Sequence, residues 1–150
     1  MNPATKNAAA SLAHWIDGAA DAVVPERWLD VHDPASGDVV ARAPMASRDD
    51  TDRAVAAAKA AFPVWRDTSL TKRTQVMFAF RELLNARKAE LARIVTREHG
   101  KVHDDALGEV TRGLEVVEFA CGMPHLIKGE YSEQVSGGID VWSIRQPLGV

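Results

Sequence analysis

Arg112 is the residue of this chain best placed to do chemistry, because of the company it keeps. It lies in the stretch Thr96–Gly122, read TREHGKVHDDALGEVTRGLEVVEFACG. Small and apolar residues recur there at Ala106, Val110, Gly113, Leu114, Val117 and Cys121, a helical spacing that dries one face. Arg112 projects about 160° from Val110 at roughly 100° per residue. Gly108 and Phe119 share its side and Val116 lies close by. A guanidinium in such surroundings asks for an anion, either a protein carboxylate or one that arrives with a substrate. Asp105, Glu109 and Glu115 are the local candidates for an ordinary salt bridge, and helix physics alone puts that reading first.

The other chemistry-bearing residues are weaker. Cys121 falls on the dry face and reads as a buried structural thiol. His99 and His103 are four apart, but Gly100 breaks the helix between them, so a shared metal gains little support. His14 and His32 stand alone, without partners at ligand spacing, and belong on the surface or in a hydrogen bond. No Gly-x-Gly-x-x-Gly, phosphate loop, nucleophile elbow or internal repeat is present.

Local signals place the elements that must carry these side chains. His14–Asp17 reads as a short strand entering a turn at Gly18. Trp28–His32 and Asp38–Ala43 read as strands around the turn Asp33-Pro34-Ala35-Ser36-Gly37, with Pro44 as a stop. Ser47 caps a helix with Asp49 and Asp50 in its first turn, running through Ala54, Val55, Ala58 and Phe62 and ending at Pro63. Ser69 caps the next, whose apolar stripe is Val76, Met77, Phe80, Leu83 and Leu84. A third helix holds Leu91, Ile94 and Val95 and closes with Arg97, His99 and Gly100. Beyond the Arg112 helix, Met123-Pro124 interrupts the pattern. Strands Tyr131–Val135 and Ile139–Arg145 then follow, joined by Ser136-Gly137-Gly138.

The 150 residues are enough for one domain with a core. A formal net charge of −3, with no basic cluster among aromatics, argues against nucleic acid. One cysteine permits no intrachain disulfide and suits a reducing compartment. No apolar run approaches the roughly 20 residues that span a bilayer. Met1–Ser11 lacks the features of a secretory signal or transit peptide and reads as a loose native start of a cytoplasmic protein. From residues alone, the chain is an α+β module with a helical layer and a lone arginine.

Five stretches taken together go further. HWIDG at 14–18, DPASGDVVARAPMAS at 33–47, AFPVW at 61–65, TREHGKV at 96–102 and WSIRQPLGV at 142–150 resemble, in order, the N-terminal part of an aldehyde dehydrogenase. Within that superfamily, EVTRGLEVVEFACG at 109–122 and SIRQPLGV at 143–150 are similar to the coenzyme A-acylating methylmalonate-semialdehyde dehydrogenases.

The resemblance implies an α/β fold seen in part: β-hairpin, helical layer and the start of an oligomerisation strand arm, with the Rossmann-like cofactor domain incomplete. It implies a flexible N-terminus over 1–12, hairpin and helices over 13–130, arm strands over 131–146, and the first residues of a cofactor-domain strand over 147–150. Such enzymes oxidise methylmalonate or malonate semialdehyde with NAD and pass the acyl group to coenzyme A, losing the carboxyl group, in valine, inositol or pyrimidine breakdown. A cysteine attacks the aldehyde and the thioester is resolved by coenzyme A. The family's cysteine, oxyanion asparagine and NAD-binding glycines all match positions beyond Val150. The expectation is therefore an inactive front third of an enzyme, explained by a truncated reading frame or a partial sequence, with no catalytic, cofactor or metal residue and no tight NAD binding. The whole enzyme is expected to be a tetramer.

The matching helix lines the aldehyde's passage, and this moves the balance at Arg112 toward holding the substrate carboxylate. Two alternatives stand beside this reading. One is a non-catalytic interaction fragment docking through 131–146. The other is part of a carboxylate-semialdehyde dehydrogenase that releases free acid.

Overall fold

A computed structural model describes residues 9–150. The elements in order are β1 (Ala10–Ser11), β2 (Trp15–Ile16), β3 (Ala19–Ala20), β4 (Trp28–His32), β5 (Val39–Pro44), α1 (Arg48–Asp67), α2 (Leu70–Ala86), α3 (Lys88–His99), α4 (His103–Cys121), α5 (Met123–Leu126), β6 (Tyr131–Ser136) and β7 (Ile139–Trp142).

Turn chemistry decides the strands. Asp17 (φ 53°) and Gly18 (φ 74°) are both left-handed, the geometry that lets a two-residue turn follow the twist of the β2–β3 hairpin. Asp33 Oδ1 accepts from Ala35 N–H at 2.8 Å, stabilising the turn before β5. β4 and β5 pair antiparallel from Trp28–Pro44 to His32–Val39, so Pro44 is the last strand residue rather than a stop outside it. β1 adds to β5 in parallel, Ala10 opposite Ala41, giving the order β1-β5-β4. Leu12 N–H also donates to Arg42 carbonyl at 2.9 Å. Residues 10–12 are thus seated along β5, and residues 1–8 lie outside the described ones.

α1 begins with a full capping box: Ser47 Oγ accepts from Asp50 N–H at 3.1 Å and Asp50 Oδ2 accepts from Ser47 N–H at 2.8 Å. It does not end at Pro63, as expected, but runs four residues further. Proline removes one helical donor but not the bonds made by later residues. Thr68 ends the helix by donating through its N–H to Val64 carbonyl at 3.1 Å and through its hydroxyl at 2.7 Å. α3 closes on Gly100 in the left-handed conformation (φ 83°), as glycine allows.

α4 packs against α3 and α2. The closest approach uses small side chains: Ala92 of α3 and Ala106 of α4 are fully buried, and Leu114 is 6% exposed. Val110, Val117 and Cys121 are half-buried and Gly113 is exposed, so the dry face is narrower than its periodicity suggests. Arg81 of α2 donates to Glu118 of α4 at 2.6 and 2.9 Å, fastening the two helices. The α2 stripe is only half covered: Met77 and Leu84 are partly buried, while Val76, Phe80 and Leu83 are exposed. The described residues supply no second layer for that face.

β6 and β7 form a separate hairpin, every residue of which is exposed. β7 ends at Trp142 rather than Arg145, although Ser143 N–H still donates to Glu130 carbonyl at 2.9 Å. Among the described residues no helix is long and apolar enough to cross a membrane.

Candidate functional site: an arginine on an apolar helix face

Arg112 sits in the middle of α4, on its exposed side. One and two turns further on, Val116 and Phe119 are 69% and 67% exposed. One turn earlier, Gly108 leaves the helix surface bare, and Arg112 Nη1 lies 4.0 Å from where a Cβ at that position would stand. The guanidinium therefore lies back toward the helix N-terminus, the direction in which helical side chains lean. The result is a strip with one cation and an apolar wall.

The salt bridges that helix spacing suggested do not form. Among the described residues no ion pair joins Arg112 to Asp105, Glu109 or Glu115. Glu109 Oε1 instead accepts from Lys101 Nζ. That bond is the first cause holding the Glu109 carboxyl below its ordinary value, and His99 and Arg112 add only their fields. Glu118 is committed to Arg81. The Arg112 guanidinium thus has no carboxylate partner among the described residues.

The other candidates stay apart. Cys121 is the last residue of α4 and is only half-buried, not the buried thiol expected. His99 ends α3 and His103 begins α4, with left-handed Gly100 between them. His32 Nδ1 lies 3.1 Å from Gly37 carbonyl. His14 is half-buried, with Nε2 lacking a described partner.

Two features escaped sequence reasoning. The Lys101–Glu109 pair spans eight residues across a helix break, a separation with no periodic signature. A cavity of about 450 Å³ between α1, α2, α4 and the last residues is lined by Trp65, Arg73, Met77, Ala120 and Arg145 among others, and no motif marks it.

The family model for the aldehyde dehydrogenases matches residues 21–150. Malonate-semialdehyde dehydrogenase of Pseudomonas aeruginosa is 44% identical over 124 residues, 83% of this chain and 25% of that protein. The mitochondrial acylating methylmalonate-semialdehyde dehydrogenase of Arabidopsis thaliana is 48% identical over 123 residues, 82% of this chain and 20% of that protein. A Sinorhizobium meliloti protein solved with NAD, described as a candidate methylmalonate-semialdehyde dehydrogenase, superposes with a TM-score of 0.89 at 45% identity, covering 94% of this chain and 29% of that one. The chain therefore spans well under a third of each of these relatives. Sequence and backbone agree over nearly all the described residues, and the chain belongs to the aldehyde dehydrogenase family.

Proposed function

We propose that this chain is the N-terminal segment of an NAD-dependent, coenzyme A-acylating methylmalonate/malonate-semialdehyde dehydrogenase, and that Arg112 holds the carboxylate of its substrate. The observation that carries the reading is an exposed guanidinium, unpaired among the described residues, beside Val116 and Phe119. Such a strip suits a short molecule with an anionic end and an apolar remainder, and a semialdehyde carboxylate is one. The names of the relatives support this substrate class over other aldehydes.

In the whole enzyme NAD supplies the hydride acceptor and coenzyme A the acyl acceptor. The described residues do not fit NAD. The helices of ten or more residues are entered at Ser47, Ser69, Arg87 and Val102, and none follows a glycine-rich loop of the kind that lets a pyrophosphate approach. No step through the cofactor is assigned to these residues. Their part is to orient the substrate: a bidentate grip on the carboxylate turns the aldehyde end toward the rest of the enzyme. On its own the chain turns over no aldehyde.

Residues 13–130 belong with the cofactor domain, 131–146 form the arm that joins subunits in a tetramer, and 147–150 open the next strand. The lone Cys121 supports a cytoplasmic setting.

The test is Arg112→Ala in a full-length aldehyde dehydrogenase that carries this segment. Losing a charge-assisted contact is worth about 1.5–3 kcal/mol, so kcat/KM for malonate semialdehyde falls roughly ten- to a hundredfold while propanal is spared. Arg112→Lys recovers part, because an ammonium keeps charge without the planar fork. Equal losses on both aldehydes return Arg112 to a structural role.

A further inference from the structure

We propose that Lys101 is a positioning residue for this site: by holding the carboxylate of Glu109, it keeps the guanidinium of Arg112 available for the substrate. The inference rests on the reading of Arg112 as the carboxylate-binding residue.

Glu109 stands three residues before Arg112, a spacing at which opposite charges pair along a helix. Arg112 also folds back toward Gly108, the residue before Glu109, and its charge acts on the Glu109 carboxylate. Left to themselves these two would pair, and the site would present a neutralised arginine. Glu109 is committed elsewhere. Lys101, in the link between α3 and α4, donates to it and is the more sheltered partner, 19% exposed against 43%. The left-handed turn at Gly100 sets where Lys101 leaves α3, so the competitor is removed by a residue outside the helix that bears the site. The charges acting on Glu109 are Lys101 first, then the fields of His99 and Arg112.

The experiment compares kcat/KM for malonate semialdehyde and for propanal in a full-length aldehyde dehydrogenase carrying this segment. In Lys101→Met the ratio of the two is expected to fall about two- to fivefold, the size of an exposed ion pair, with the change in KM. Adding Glu109→Gln restores the ratio, and Lys101→Arg preserves it. An unchanged ratio in Lys101→Met, or a double variant as poor as the single one, overturns the proposal.

Modification of Arg112 by phenylglyoxal, located by mass spectrometry in the same full-length enzyme without substrate, reads the same competition without turnover. Lys101→Met is expected to slow it, and equal rates overturn the proposal. Arg112→Ala separates the two levels. If it shifts the ratio and Lys101→Met does not, only the role of Lys101 falls. If it shifts nothing, the substrate reading falls as well.

Discussion

Arg53 and Asp21, 32 residues apart in sequence, are joined at 2.7 Å from Nη2 to Oδ2. The same Nη2 donates to Asp50 Oδ1 at 2.6 Å, and Asp50 closes the capping box of α1. One guanidinium therefore ties the segment after the first hairpin to the start of the helical layer. Arg53 is the first cause holding the Asp21 carboxyl below the ordinary value of 3.8, followed by the Val23 N–H. The Ser47 backbone N–H is the first cause for Asp50, which lies well below that value.

A depressed folded pKa adds stability that is complete above the unfolded value and is lost as pH falls through the folded one. Asp21→Asn is therefore expected to lower Tm near neutral pH in a full-length enzyme carrying the segment. The gap from the parent should close as pH drops below about 3.8. Thermal melts from pH 7 to pH 3 check this, and a gap that stays constant rules out the titrating pair as the source.

Gly100→Ala should cost more than Gly18→Ala, though both residues are left-handed. The conformation alone costs about 1–2 kcal/mol for a residue with a Cβ. At Gly100 that Cβ would also stand 3.0 Å from Pro34 Cγ, whereas at Gly18 nothing lies within 4 Å. Urea unfolding of both variants decides it. Equal costs would mean that the β4–β5 turn yields to the end of α3 without resistance.

The isolated chain should bind an apolar dye and show no semialdehyde oxidation. Val76, Phe80, Leu83, Val116 and Phe119 all stand exposed on the helical layer, and exposed apolar side chains are what such a dye binds. Dye fluorescence and an NADH absorbance assay make the check. A sharply melting monomer with no dye binding would contradict the first half, and turnover by the chain alone the second.

Ile139 and Val141 share one face of β7, both 52% exposed, on a hairpin whose strands pair with each other and with no other described strand. Replacing both by lysine blunts such an edge. If residues 131–146 join subunits as proposed, the double variant of a full-length enzyme carrying this segment shifts native mass toward smaller species, with an unchanged monomer fold by circular dichroism. An unchanged native mass would overturn the proposed role of residues 131–146 in joining subunits.

The sequence by itself determined what depends on near neighbours. The Ser47 cap with Asp50, the glycine stop at 100, the turns marked by Gly18 and by Gly137-Gly138 and the helical spacing around Arg112 all involve residues within four positions of one another. Backbone sterics and local hydrogen bonds act at that range, so residue type and spacing were enough. The same spacing misled at Pro63, where bonds made by later residues carried the helix on, and along α2, where an apolar stripe found cover over only half its width. Tertiary structure alone decided the parallel seat of β1 on β5, the reach of Arg53 to Asp21, and whether Arg112 would be free. Beside it, Glu109 is held by Lys101 from across a helix break. Which carboxylate an arginine meets depends on where the fold puts competing cations, and no periodicity records a contact made through space.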